Sequence, residues 1–201
     1  MKWYYEQPVK IIFGDHKIQE LSTIIQKEQY KKGILVTTTH FIKNGFAGQL
    51  LDDKKNHLAD IFAGFSPNPD VEEVNRLGEH LRKEKIDFIV ALGGGSVIDG
   101  AKAASVLIEK ETSIQKYHNT GEKVPKKHLP LIVIPTTAGT GSEVTNVSVL
   151  TNRKQGIKAP IASESFYSQY AIVDPTLTWS MPQDLTAVSY THLRAHETSQ
   201  D

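Results

Sequence analysis

The chain has 201 residues, of which 39% are hydrophobic and 23% charged, with 23 basic and 23 acidic side chains. A net charge of zero gives no long-range pull toward nucleic acid or an anionic membrane, so neither is expected as a partner. There is no cysteine, which excludes disulfides, thiolate metal sites and a cysteine nucleophile. The first seven residues are too polar for a signal peptide, and no apolar run approaches the roughly 20 residues that cross a bilayer, so a cytoplasmic location is the default expectation.

The first predicted strand is 9–13, stopped by Gly14. Ile18, Leu21, Ile24 and Ile25 then recur at helical spacing. Residues 33–38 read as a second strand, 41–51 as a helix weakened by Gly45 and Gly48, and 58–62 as a third strand. Pro67, Asn68 and Pro69 break the chain, and Asp70 is placed to cap a helix with Val71, Val74, Leu77 and Leu81 on one face. A fourth strand, 86–92, leads into a helix at 97–108, and a fifth, 131–134, is closed by Pro135. Segments 147–150 and 157–161 flank a polar turn and read as a hairpin, ahead of a last strand at 170–173. Strands alternating with helices argue for an α/β fold, a parallel sheet flanked by helices on both faces with a β-hairpin extension. The continuous apolar runs at 86–92 and 131–134 fit fully buried central strands.

Two loops carry the chemistry. The first is Gly93-Gly94-Gly95-Ser96, followed by Asp99, at the end of the fourth strand. Glycines at such a corner let the backbone approach a ligand, because no Cβ stands in the way. The helix that follows offers unpaired N–H groups and the positive end of its dipole, a site for phosphate or pyrophosphate. The Ser96 hydroxyl can cap that helix or bond a phosphate oxygen, and Asp99 is expected in its first turn, where a carboxylate suits the dipole. The spacing is neither the Gly-x-Gly-x-x-Gly fingerprint nor a P-loop. The second loop runs from Pro135 through Thr136, Thr137, Ala138, Gly139, Thr140, Gly141, Ser142, Glu143 and Val144 to Thr145. Its short hydroxyl donors on a pliable backbone suit phosphate and ribose contacts at the carboxyl ends of parallel strands. The histidines His16, His40, His57, His80, His118 and His128 sit in polar contexts without ligand spacing, and surface roles are expected for all six.

With these two loops, Pro67-Asn68-Pro69, Lys158 and Asp174-Pro175 before Leu177, the chain resembles the N-terminal part of the iron-containing (group III) alcohol dehydrogenases over roughly residues 5 to 187. The resemblance implies a Rossmann-like dinucleotide-binding domain over 1–187. In the family it precedes an all-helical metal-binding domain, whose residues would lie beyond 201. It further implies that Gly94, Gly95 and Ser96 hold the pyrophosphate, that Thr136, Thr137 and Thr140 line the cofactor cleft, that Lys158 contacts the nicotinamide ribose and that Leu177 packs near the adenine or ribose end. Asp99, Thr38 and Asn68 complete the candidate cofactor-binding set. The implied reaction is hydride transfer between a primary alcohol or aldehyde and a nicotinamide cofactor, with Fe2+ or Zn2+ polarising the substrate oxygen. A homodimer is the expectation for the full-length form. Related architectures, the glycerol dehydrogenases and dehydroquinate synthases, and a nucleotide-binding module without chemistry remain alternatives.

The sequence departs from the family pattern in two places. Members that prefer NAD often carry an Asp just after the second strand. Here Val36-Thr37-Thr38-Thr39 offers no acid, which predicts that NADP is tolerated at least as well as NAD unless another residue discriminates. The family also expects a metal-binding Asp and, four residues on, a His after Pro182. His192 and His196 fall at those positions, but the surrounding residues 188–201 read as a foreign or artefactual tail, so no metal ligand and no catalytic residue is assigned within the chain.

Overall fold

The computed structural model describes residues 3, 6–109, 112–179, 181 and 186–187. Eight strands are found among them: β1 (Lys10–Phe13), β2 (Gly33–Val36), β3 (Leu58–Phe62), β4 (Phe88–Gly93), β5 (Leu131–Pro135), β6 (Val147–Asn152), β7 (Ile157–Ala162) and β8 (Tyr170–Val173). The helices are α1 (Glu20–Lys27), α2 (Thr39–Lys43), α3 (Phe46–Asp52), α4 (Val71–Lys83) and α5 (Gly95–Ser105). Six strands form one sheet in the order β1-β8-β5-β4-β2-β3, every neighbouring pair parallel. β6 and β7 make a separate antiparallel hairpin.

Side-chain alternation along the buried strands splits the core in two. Ile34 and Val36, Ile89 and Ala91, and Leu131 and Val133 point to the face covered by Val74, Leu77 and Leu81 of α4 and by Ile98 and Ala101 of α5. Leu35, Phe88, Val90, Leu92, Ile132 and Ile134 point to the face covered by Leu21, Ile24 and Ile25 of α1 and by Phe41 and Ala47. A strand buried on both sides has no polar face, which is why these runs read as continuous apolar stretches.

Each expected element is present, several with moved bounds: β2 ends at Val36 rather than at 38, β4 runs over 88–93 rather than 86–92, and Ile18 falls in a short 3-10 turn ahead of α1. Two helices differ more. The helix expected at 41–51 is two helices, α2 and α3, because the chain turns at Gly45 into the left-handed region, φ 82, where a side chain is strained. The helix expected at 97–108 is α5, which starts two residues earlier at Gly95 and ends at Ser105. Asp70 caps α4 as expected, its carboxylate accepting the Glu72 N–H at 2.9 Å while Glu73 reaches back to the Asp70 N–H at 3.0 Å, a complete capping box. No described helix is long and apolar enough to cross a membrane.

Candidate functional site

In chain order, β2 and β3 run toward one sheet edge, whereas β4, β5 and β8 run toward the other. The order therefore reverses between β2 and β4, and the crevice outside their carboxyl ends is where open α/β sheets bind ligands. Four of the loops carrying sequence-predicted site residues leave that end of the sheet. They are Thr38 after β2, Asn68 after β3, the glycine corner after β4 and the hydroxyl loop after β5.

The two principal loops touch. A Cβ built on Gly94 would stand 3.0 Å from Thr137 Oγ1, and one on Gly95 would stand 3.0 Å from Thr140 Cγ2 and 3.3 Å from Ser142 Oγ. The Thr136 N–H donates to the Gly93 carbonyl at 3.0 Å, so the sheet register continues into both corners. Gly94 is the N-cap of α5 and no side chain caps it, so the N–H end of the helix faces the crevice between the loops.

Asn68 ties the remaining residues to this corner. Its N–H donates to Ser96 Oγ at 3.3 Å and its Oδ1 accepts Lys158 Nζ at 2.6 Å. It sits in the left-handed region, φ 58, which Asn tolerates better than most residues, and prolines flank it on both sides. Lys158 stands on β7, 90 positions from Asn68 in sequence, and reaches it because the hairpin is docked on the start of α4. Asp70 Oδ2 accepts the Arg153 N–H at 3.0 Å, the Thr151 N–H donates to the Pro69 carbonyl at 2.9 Å, and Lys154 pairs with Glu72 at 2.9 Å. Thr38 is the N-cap of α2 and is half-buried, its hydroxyl making no cap bond. The preceding Thr37 is fully buried, its hydroxyl donating across to the Leu92 carbonyl at 2.8 Å. Leu177 lies in a short helical turn after β8, partly buried against the α1 face.

Three expectations are corrected. Ser96 does not cap α5. It is the second helical residue, and its hydroxyl meets the Asn68 N–H instead. Asp99 is not in the first turn. It lies in the second, 8% exposed, with its carboxylate accepting the Val149 N–H at 2.9 Å. Burial raises the Asp99 carboxyl above its ordinary value, opposed by the Val149 N–H, Lys102 and Ser142. His118 is not a surface residue but is 3% exposed, with Nε2 3.1 Å from the Leu150 carbonyl.

Sequence reasoning missed Lys102. It has no exposure at all, and its ammonium donates to the Thr145 carbonyl at 2.8 Å, the Val147 carbonyl at 3.0 Å and Thr145 Oγ1 at 3.3 Å. Burial lowers its pKa to about 8 against the pull of Asp99 and Glu143. The available signal was a lysine in a helix of otherwise small and apolar residues from Gly100 to Ala104. Asp174 was quoted only as part of a motif. It is 1% exposed and accepts from the His16, Ile18 and Thr176 N–H groups and from the Thr176 hydroxyl.

The described residues contain no group of three or more His, Asp or Glu side chains that could hold a metal ion, so they do not by themselves fit one. His192, His196 and the tail 188–201 lie outside the described residues.

A family model, "Iron-containing alcohol dehydrogenase", matches residues 8–175. The structure of sulfoacetaldehyde reductase from Bifidobacterium kashiwanohense in complex with NAD+ superimposes with a TM-score of 0.92 at 48% identity, over 96% of this chain and 51% of that one. Sulfoacetaldehyde reductase of Bilophila wadsworthia is 34% identical over 90% of this chain and 47% of its own length. Alcohol dehydrogenase 4 of Saccharomyces cerevisiae is 30% identical over 92% of this chain and 49% of its own. The chain thus spans about half the length of these relatives.

Proposed function

The chain belongs to the iron-containing alcohol dehydrogenases, and on that premise we propose that residues 1–187 are a nicotinamide-dinucleotide-binding unit of an alcohol or aldehyde oxidoreductase, with 188–201 a tail foreign to the family. The observation that carries this reading is the contact between the two corners, with Gly94 against Thr137 and Gly95 against Thr140 at the end of adjacent parallel strands. Side chains at either glycine would fill the space between the loops, so bare backbone N–H groups form the floor of the cleft.

In this reading Gly94, Gly95 and Ser96 hold the pyrophosphate on the N-terminus of α5, and Thr136, Thr137 and Thr140 line the cleft beside it. Lys158, fixed by Asn68, meets the nicotinamide ribose, and Leu177 packs near the adenine or ribose end. Bound nicotinamide supplies a hydride acceptor or donor at C4, and this chain's residues supply its grip and orientation. The Bifidobacterium relative binds NAD+, which supports NAD+ here. The absence of a carboxylate in Val36-Thr37-Thr38-Thr39, with Thr38 at the switch point, supports tolerance of NADP+ as well. In the family a divalent metal, Fe2+ or Zn2+, polarises a primary alcohol or aldehyde, but the described residues offer it no three-ligand site. We therefore expect coenzyme binding by the 201-residue chain without alcohol-dependent formation of reduced nicotinamide.

The test is isothermal titration of the folded chain with NAD+ and NADP+. Saturable heat with either supports the reading, and none with both removes it. A strong preference for NAD+ removes only the claim about NADP+.

A further inference from the structure

We propose that Lys102 is a positioning residue for the cleft: from behind the wall it ties the root of the hydroxyl loop and the start of the hairpin to α5, and so sets where Thr137, Thr140 and Lys158 stand. The functional meaning of this tie rests on the coenzyme reading above, but the tie itself does not.

Helix α5 does two things at once. Its first residues, Gly95 and Ser96, form the glycine corner, and its second turn grips the chain that returns from the other loop. Lys102 holds Thr145 and Val147. One turn before it, the Asp99 carbonyl accepts the Ser148 hydroxyl at 2.8 Å and the Asp99 carboxylate accepts the Val149 N–H at 2.9 Å. Four nearly consecutive residues, Thr145, Val147, Ser148 and Val149, are thereby pinned to one face of α5. Thr145 is the last residue of the hydroxyl loop and Val147 the first of β6, whose partner β7 carries Lys158. A fully buried ammonium is costly unless its donors are satisfied. Here three oxygens satisfy it, all on the segment whose placement the cleft needs. The charged groups that act on it are Asp99 on its own helix and Glu143 in the loop. Among the described residues it forms no direct salt bridge, so its specific partners are the loop-root oxygens.

The experiment compares the wild-type chain with Lys102→Met, which keeps the length and removes the donors. Amide hydrogen exchange reads the loop without coenzyme, and titration with NAD+ and NADP+ reads the cleft. The expected result is exchange at least roughly tenfold faster in 136–145 and 157–162, the size set by unpaired buried carbonyls. Exchange in β4 and β8 stays unchanged, and coenzyme binds roughly tenfold more weakly. Because the chain has no other cysteine, Lys102→Cys can be alkylated in denaturant to the aminoethyl analogue of lysine and refolded. Restoration of both readouts is expected. Should Lys102→Met not fold, Thr145→Val removes one acceptor at the far end of the tie and is expected to give about a threefold effect in the same segments. Unchanged exchange in 136–145, or a rise spread evenly over the whole sheet, overturns the proposal. A wild-type chain that binds neither coenzyme overturns the functional reading alone, since the exchange result still decides whether Lys102 fixes the loop.

Discussion

Asp70 serves two structures with its two oxygens, and replacing it separates their contributions. Oδ1 caps α4 through the Glu72 N–H, and Oδ2 accepts the Arg153 N–H at the tip of the hairpin, both within 3.0 Å and with the side chain 7% exposed. Loss of an N-cap costs about 1 kcal/mol. Loss of an ionised acceptor for a backbone N–H that stays partly shielded costs about 1–2 kcal/mol more. The Arg153 guanidinium, 3.8 Å away and mostly exposed, adds little. Asp70→Ala is therefore expected to destabilise the chain by about 2–3 kcal/mol, lowering Tm by roughly 4–12 °C for a domain of this size. Asp70→Asn keeps one acceptor and turns an amide donor toward the other N–H, so it is expected to cost about half as much. Equilibrium urea unfolding measures both as shifts in midpoint at constant slope. If Asp70→Ala costs less than about 0.5 kcal/mol, a typical surface value, or if the two variants are indistinguishable, the double role is wrong.

Gly95→Ala places a methyl group 3.0 Å from Thr140 Cγ2 and over the expected pyrophosphate position. It should weaken coenzyme binding by roughly 10–100-fold in calorimetry, while helix propensity holds the loss of stability under about 1 kcal/mol. Lys158→Met removes an exposed ammonium bound to Asn68. Coenzyme affinity is expected to drop about fivefold with no change in urea midpoint, and a shifted midpoint would reassign Lys158 to stability. Asp174 is a pH-dependent tie. Burial alone would raise its carboxyl, but the Ile18, Thr176 and His16 N–H groups and the Thr176 hydroxyl outweigh it and hold it below 3.8. The unfolded chain then binds a proton before the folded one, so this contribution is complete above pH 3.8 and is lost as pH falls below it. Asp174→Asn is expected to cost about 1–3 kcal/mol at pH 7 and to flatten the acid limb of stability against pH. An acid limb as steep as that of the wild type would contradict this.

Local signals carried most of the fold. β3 and β8 match the predicted spans to the residue, because each is a short segment rich in apolar residues and bounded by polar or turn-forming ones. α4 was legible from Asp70 as its cap and from its apolar stripe, while the Glu73 half of the capping box was not read. α5 was read two residues late because Gly95 and Ser96 have poor helix propensity, and the tertiary packing of the corner overrides it. The strand order was not legible, since nothing near residues 10–13 says that their neighbour is 170–173. The glycine corner and the hydroxyl loop could be proposed from their own chemistry, whereas Lys158 and Leu177 came only from the family resemblance. The buried Asp99, Lys102 and Asp174 take their roles from partners that only the fold supplies. His118 reads as polar in sequence and is buried for the same reason.

The pairing of β1 with β8 joins residues 160 positions apart, as Lys10 and Tyr170 do across the sheet. Closing a span of that length costs about 4–5 kcal/mol of chain entropy before any contact between the two strands repays it. During synthesis β1 must therefore wait until residues 170–173 have left the ribosome before it can pair with β8. Through that interval Ile11 and Phe13, exposed on the outermost strand of the sheet among the described residues, lack their β8 partner. Nascent chains of this protein are most exposed to aggregation in that window, and a chaperone that shields the first dozen residues until translation passes residue 173 would raise the yield of folded protein.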